Sequence, residues 1–338
     1  MNHRALTKLL IVGAVSVLIA PLLLAQSDEF PRTEYGHPDL QGTYTFRTIT
    51  PLNRPKELED LEVLTPEQAK DWEEFENRRQ NRDLIDDSVG GAGYAPGVGS
   101  YNNFWYERGD QTIADRRTSL IYDPPNGRIP PVNAVGQERR AEFDQMVFEY
   151  AGPEAFPADV RCLVGYNAGP PMVPSGYNNN IQLIQTEDHI VILNEMVHTA
   201  RIIRLDSEHH TRQLKWEGDS IAYWEGETLV VHTQNYYHDY ETRLGMSHQA
   251  QITEHFTRID ADTLEYDFTV EDPLSWDQTW SAKLPMQSTA DPLYEFACHE
   301  GNYGLVGILA GTRRYESMGL NSDGTPMSAT GTVDTKEN

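Results

Sequence analysis

From Tyr177 to Asp272 one strand-like segment follows another, with almost no helical periodicity between them. No other feature restricts the fold of this chain as much. Ile181-Gln182-Leu183-Ile184-Gln185 alternates in polarity, as a strand with one buried face must, because successive side chains point to opposite faces. Glu187-Asp188 then turns the chain, and His189–Met196 and Ala200–Leu205 read as the next strands. Trp216-Glu217-Gly218-Asp219 and Trp224-Glu225-Gly226-Glu227 are two turn-like echoes that flank Ser220–Tyr223 at the spacing of hairpin arms. Thr228–Gln234, Gln251–Ile259 and Thr263–Val270 follow, with Asp260-Ala261-Asp262 as the tight turn between the last two. Trp280–Met286 and Leu293–Cys298 complete the set. Meander order with short turns and few helices predicts a mainly β fold, an antiparallel barrel or sandwich.

The flanking residues add two peripheral helices. Thr65-Pro66-Glu67-Gln68 opens the first, with Thr65 as N-cap, Pro66 at the first helical position and Gln68 closing a capping box, over 65–82. The second, 137–150, places Phe143, Met146, Val147 and Tyr150 on one face. Between them a Gly-rich loop spans 83–100, and Phe104-Trp105-Tyr106 and Thr118–Tyr122 read as strands. Gly42-Thr43-Tyr44, at the head of a strand over 43–49, is similar to the Gly-x-aromatic opening of lipocalin-like barrels. One β-rich domain over 28–320 and a disordered tail, 321–338, are expected.

The amino terminus reads as a leader. Arg4 and Lys8 precede an apolar run from Leu9 to Leu24, and Ala25-Gln26-Ser27 offers the small residues of a cleavage site. The run has the length of a signal peptide (1–25) and is short for a spanning helix, so periplasmic or extracellular export is expected over a retained anchor. Cys162 and Cys298 are the only cysteines. An oxidising compartment favours joining them, and neither sits in the C-x-x-C spacing of a zinc site. The chain carries 27 Lys and Arg against 52 Asp and Glu, and loss of Arg4 and Lys8 takes the net charge from −25 to −27. Such a surface argues against nucleic acid and anionic membrane as partners and leaves a small molecule.

Chemistry is harder to place. None of the eleven histidines forms H-E-x-x-H, and no nucleophile elbow, P-loop or Rossmann glycine pattern occurs. Glu195, His198 and Arg201, however, lie three residues apart in turn at a bend between apolar strands. If they converge, the carboxylate orients the imidazole as a general base and Arg201 holds an anion; the competing reading is an ion pair that fixes the hairpin. His299, in Cys298-His299-Glu300-Gly301, is the second candidate. With Glu195 and His198 it could form a two-His, one-carboxylate set for zinc or iron, but no cofactor is the expectation.

The chain also resembles a family of exported bacterial proteins. The likeness lies in Pro38-Asp39-Leu40-Gln41-Gly42, Asp123-Pro124-Pro125, Tyr177-Asn178-Asn179-Asn180, Glu254-His255-Phe256-Thr257-Arg258, Phe268-Thr269-Val270-Glu271-Asp272-Pro273 and Cys298-His299-Glu300-Gly301-Asn302-Tyr303-Gly304. The resemblance implies secretion and a single β-rich domain, and it transfers no catalytic residue. Tyr177, Asn179, Tyr236, His255 and Glu300 are the candidate ligand contacts; Tyr236 heads a Tyr-rich loop suited to a pocket mouth. The expected function is acid–base chemistry on a small organic molecule, of the lyase, hydratase or isomerase type. The alternative is a non-catalytic carrier with the same barrel.

Overall fold

Apolar side chains at every second position carry the strands of this chain inward, and the result is a closed barrel. The computed structural model describes residues 30–84, 102–149, 152–237, 244–321 and 324–327. The expected leader, residues 85–100 of the Gly-rich loop and the tail beyond 327 lie outside the described residues, as do Tyr150 of the second helix and Tyr240 of the Tyr-rich loop. Strands β1 (Gly42–Thr45), β2 (Ile121–Asp123), β3 (Asn180–Gln185), β4 (His189–Asn194), β5 (Ala200–Leu205), β6 (Asp219–Glu225), β7 (Thr228–Gln234), β8 (Gln251–Arg258), β9 (Thr263–Glu271) and β10 (Trp280–Ser288) form one sheet. Its order is β1-β3-β4-β5-β6-β7-β8-β9-β10, and β1 pairs with β10 to close the ring. Of the barrel and the sandwich that the sequence allowed, the barrel is the fold.

Every pairing is antiparallel except β5–β6, where Arg204 lies opposite Ile221 and Leu205 opposite Ala222 in parallel register. The barrel is thus mixed, because residues 206–218 carry the chain back across before β6 begins. One edge of β10 is held by β9 along its length, and the other is shared between β2, at Ser281 and Ala282, and β1, at Gln287 and Ser288. That sharing explains one departure from expectation. Residues 293–297 form no strand, since the closed barrel leaves no free sheet edge to receive them, and Cys298–Gly301 is a short helix, α3. Phe104 and Trp105 likewise lie in a 3₁₀ turn, Asn103–Trp105, rather than a strand, and both are exposed.

The helices are α1 (Pro66–Gln80), α2 (Ala134–Glu149), α3 and α4 (Tyr303–Glu316). α1 starts where the sequence says it should: Thr65 Oγ1 accepts from the Gln68 N–H while Gln68 Oε1 accepts from the Thr65 N–H. The helix α4 has no counterpart in the sequence reading. Inside the barrel, Ile181, Ile192, Ile203, Leu229, Val231, Phe256, Tyr266, Phe268 and Trp280 are fully buried. Each such side chain contributes roughly 1.5–3 kcal/mol through removal from water. Residues 162–179 cross one mouth as a plug, burying Ala168, Met172 and Val173. Cys162 in this plug is disulfide-bonded to Cys298 with the Cα atoms 5.7 Å apart, which ties the plug to the segment that follows β10.

Candidate functional site

Glu195, His198 and Arg201 leave the β4–β5 bend in three directions. The bend puts Val197 at φ 60° and His198 at φ 53°, left-handed values that swing the side chains apart. Glu195 is buried; Oε2 accepts from Asn180 Nδ2 at 2.6 Å and Oε1 from the Tyr294 N–H at 3.3 Å. His198 is exposed, and its Nδ1 accepts from the Phe296 N–H at 3.2 Å. These two side chains grip the backbone of one segment, 294–296, which leads directly to the disulfide. The His198 N–H donates to the Glu195 carbonyl at 3.3 Å within the bend, but among the described residues no hydrogen bond joins the side chains of Glu195, His198 and Arg201. His299 and Glu300 are exposed on α3, where the His299 carbonyl accepts from the Asn302 N–H at 3.3 Å.

The remaining candidates are scattered. Asn179 is buried and structural: its Oδ1 accepts from the Ser175 N–H at 2.7 Å, and its Nδ2 donates to the Glu107 and Ser175 carbonyls at 3.0 Å. Tyr177 packs its ring against Tyr106 and Tyr166. His255 sits half-buried on the outer face of β8, opposite Asp267. Of the five proposed contacts only Tyr236 points into the barrel, where it is buried. Among the described residues no group of three or more His, Cys, Asp or Glu side chains lies close enough to hold a metal.

Arg201 joins a different constellation. It shares the inward phase of β5 with Ile203 and Leu205, and it reaches across the barrel to Glu254, which shares the inward phase of β8 with Ile252 and Phe256. Arg201 Nη1 meets Glu254 Oε2 at 2.5 Å and Nη2 meets Oε1 at 2.9 Å, both groups fully buried. Tyr266 Oη donates to Glu254 Oε1 at 2.7 Å and accepts from the Met172 N–H of the plug at 3.1 Å. The pair is therefore bidentate, charge-assisted and roofed by the plug. Three buried polar atoms around it have no partner: Arg201 Nε, Tyr236 Oη and Glu217 Oε1. Each such atom forfeits roughly 1–3 kcal/mol of hydrogen bonding.

These groups lie within one another's fields. Burial pushes the Glu217 carboxyl up to about 7, against the opposing pull of Arg201 and Lys215. Burial and then the charge of Glu254 push the Tyr236 phenol well above its ordinary range, with Glu217 adding to the rise and Arg201 opposing it. Tyr266 is raised by burial and by Glu254 in the same way. For Arg201, burial disfavours the charge, but the charge and hydrogen bonds of Glu254 outweigh it and keep the guanidinium ionised. Glu217, half-buried in the turn before β6, thus sits near neutral pH beside a permanent cation and a neutral phenol. Perturbed groups gathered this way are chemically suited to proton transfer or to holding a polar ligand, and a buried structural ion pair produces the same shifts.

Two of these residues carry a signal in the sequence. Arg201 and Glu254 occupy inward positions of strands whose neighbours two residues away are apolar, where an unpaired charge would be costly. Glu217 stands in a turn-like tetrapeptide and carries none. Compared with known proteins, the chain matches no family model and no curated sequence.

Proposed function

We propose that the barrel binds a small organic molecule at Arg201, Tyr236 and Glu217 and performs acid–base chemistry on it. The observation that carries this reading is the set of three unpartnered buried atoms, two donors and a carboxyl oxygen, gathered around a neutralised ion pair. A ligand with a carbonyl or carboxylate oxygen accepts from Arg201 Nε–H and Tyr236 Oη–H. Glu217, about half ionised near pH 7, takes the proton from the adjacent carbon. The C–H electron pair moves onto the ligand oxygen as an enolate, held by the same two donors, in the manner of an oxyanion site. Glu217 then returns the proton to a second carbon, giving an isomerase, or to a leaving group, giving a lyase. The role first expected of His198 passes to Glu217, while Arg201 keeps the role of anion holder.

A non-catalytic carrier is the second reading. It is favoured by the apolar and aromatic lining next to the cluster, in which the Phe256, Tyr266, Phe268 and Trp280 rings follow one another at 4.9–5.7 Å. One experiment separates the two. Small molecules that raise the melting temperature of the wild type are tested for chemical change, and Glu217→Gln and Tyr236→Phe are tested alongside. The enzyme reading requires turnover that Glu217→Gln abolishes while ligand still binds. Binding without turnover in the wild type leaves the carrier, and wild-type affinity in both variants removes the site altogether. Export completes the proposal, supported by the disulfide and by the leader-like residues before Ser27. The charge of −25 works against nucleic acid and anionic lipid as partners.

A further inference from the structure

A concave surface lies outside the barrel, between α1 and residues 48–57, with Pro174–Gly176 of the plug among its lining. Its volume is about 470 Å³, large enough to hold a small ligand. Trp72 and Phe75 of α1 line one side, their ring centroids 5.4 Å apart at 37°. Trp72 packs on the small core of Leu58, Leu64 and Ala69, but Phe75 packs on no core cluster and is 49% exposed. An aromatic ring held by a helix and left open over a cleft is a surface for another flat apolar group.

Arg108 faces the same cleft. Its guanidinium uses Nη2 alone, donating to the Gln80 carbonyl at 2.7 Å and to Asn103 Oδ1 at 2.7 Å. Among the described residues no carboxylate pairs with it. Its charged neighbours are mostly of like sign. Burial first, then Arg82 and to a smaller extent Arg79, hold Arg108 below the usual arginine value, opposed by Tyr106, whose ring centroid lies 5.0 Å from the guanidinium carbon, and more weakly by Glu76. Glu76 is committed elsewhere, since both its oxygens accept from Arg79 at 2.8–2.9 Å and Oε2 also accepts from Gln80. In a chain of net charge −25, a half-buried arginine crowded by two others and lacking an acid is conspicuous. An anion placed there relieves the repulsion and can take two parallel N–H donors.

We propose that this cleft binds a small aromatic carboxylate, with the carboxylate on Arg108 and the ring on Phe75 and Trp72. The site is distinct from the barrel interior and does not depend on the reading given to Glu217. Benzoate is the probe, with acetate (the anion without a ring) and benzyl alcohol (the ring without the anion) as comparators, all titrated against the full oxidised protein. The readout is the set of tryptophan indole N–H resonances. Saturable benzoate binding that shifts the Trp72 resonance and leaves Trp276 and Trp280 in place is the expected result, with both comparators weaker. Arg108→Gln should weaken benzoate roughly ten- to a hundredfold, the value of a charge-assisted hydrogen bond. Phe75→Ala, a change at an exposed position that the fold tolerates, should weaken benzoate and leave acetate unaltered. Equal affinity for benzoate in wild type and Arg108→Gln overturns the proposal, as does a response confined to Trp276 and Trp280, or no saturable benzoate binding at all.

Discussion

Two clusters grow from the same stretch of chain, Glu195 to Arg201, and they differ in what satisfies their polar groups. At the bend, Glu195 and His198 accept from the Tyr294 and Phe296 amides and hold a backbone segment in place. In the barrel, Arg201 and Glu254 satisfy each other, and Arg201 Nε, Tyr236 Oη and Glu217 Oε1 are left over. A carboxylate satisfied by one backbone amide and one side-chain amide, as Glu195 is by Tyr294 and Asn180, is a clamp. A buried carboxyl without a donor has its ionisation set by burial, and that property is what chemistry or ligand binding can use. An acid, an imidazole and a guanidinium close in sequence therefore do not make a site; the leftover hydrogen-bonding capacity does.

The comparison is most sharply tested by removing one partner of the interior pair. Arg201→Met or Glu254→Leu alone leaves a bare charge in the barrel and should cost about 3–5 kcal/mol in urea unfolding, whereas the double substitution should cost much less. Equal losses in the single and double variants would show the charges to be solvated rather than buried.

On the bend side the disulfide carries the next largest effect. The Cys162–Cys298 loop spans 136 residues, and its loss in Cys298→Ser should lower stability by about 2–4 kcal/mol, below the chain-entropy ceiling of about 5 kcal/mol. Native, unreduced protein should show no free thiol to a thiol reagent. Full reactivity would break the tie between plug and α3.

Glu217 gives the pH signature that the bend lacks. Its folded value of about 7 lies above the ordinary 4.5, so the folded state binds the proton more tightly than the unfolded chain. Stability should then fall as pH rises from about 4.5 to 7 and stay level above, by up to about 3 kcal/mol. Glu217→Gln should remove that slope and raise the melting temperature at pH 8. An unchanged slope would mean that water reaches the carboxyl.

The smallest effects belong to the clamp. Glu195→Gln and His198→Ala should each cost about 1 kcal/mol or less and should speed hydrogen exchange of the Tyr294 and Phe296 amides without altering ligand affinity in the barrel. Lost affinity on His198→Ala would reverse the roles assigned to the two clusters.

Local rules were enough for much of the scaffold. The bounds of β3, β5 and β7, the capping box of α1 and the turn at Asp260–Asp262 all follow from period-two alternation, cap chemistry and turn residues, which act over a few positions. The cysteine pairing followed as well, because two cysteines allow one bond within the chain. What tertiary structure decided is everything that depends on how the sheet closes. The parallel step from β5 to β6, the missing strand at 293–298 and the helix α4 depend on which sheet edges are still free. The pairing of Arg201 with Glu254, 53 residues apart, depends on where the two strands stand across the barrel, and alternation names the face of a residue but never its partner. Glu217 is the extreme case: a turn residue by sequence, it becomes a carboxyl near neutrality only because the closed barrel shuts its Oε1 away from water.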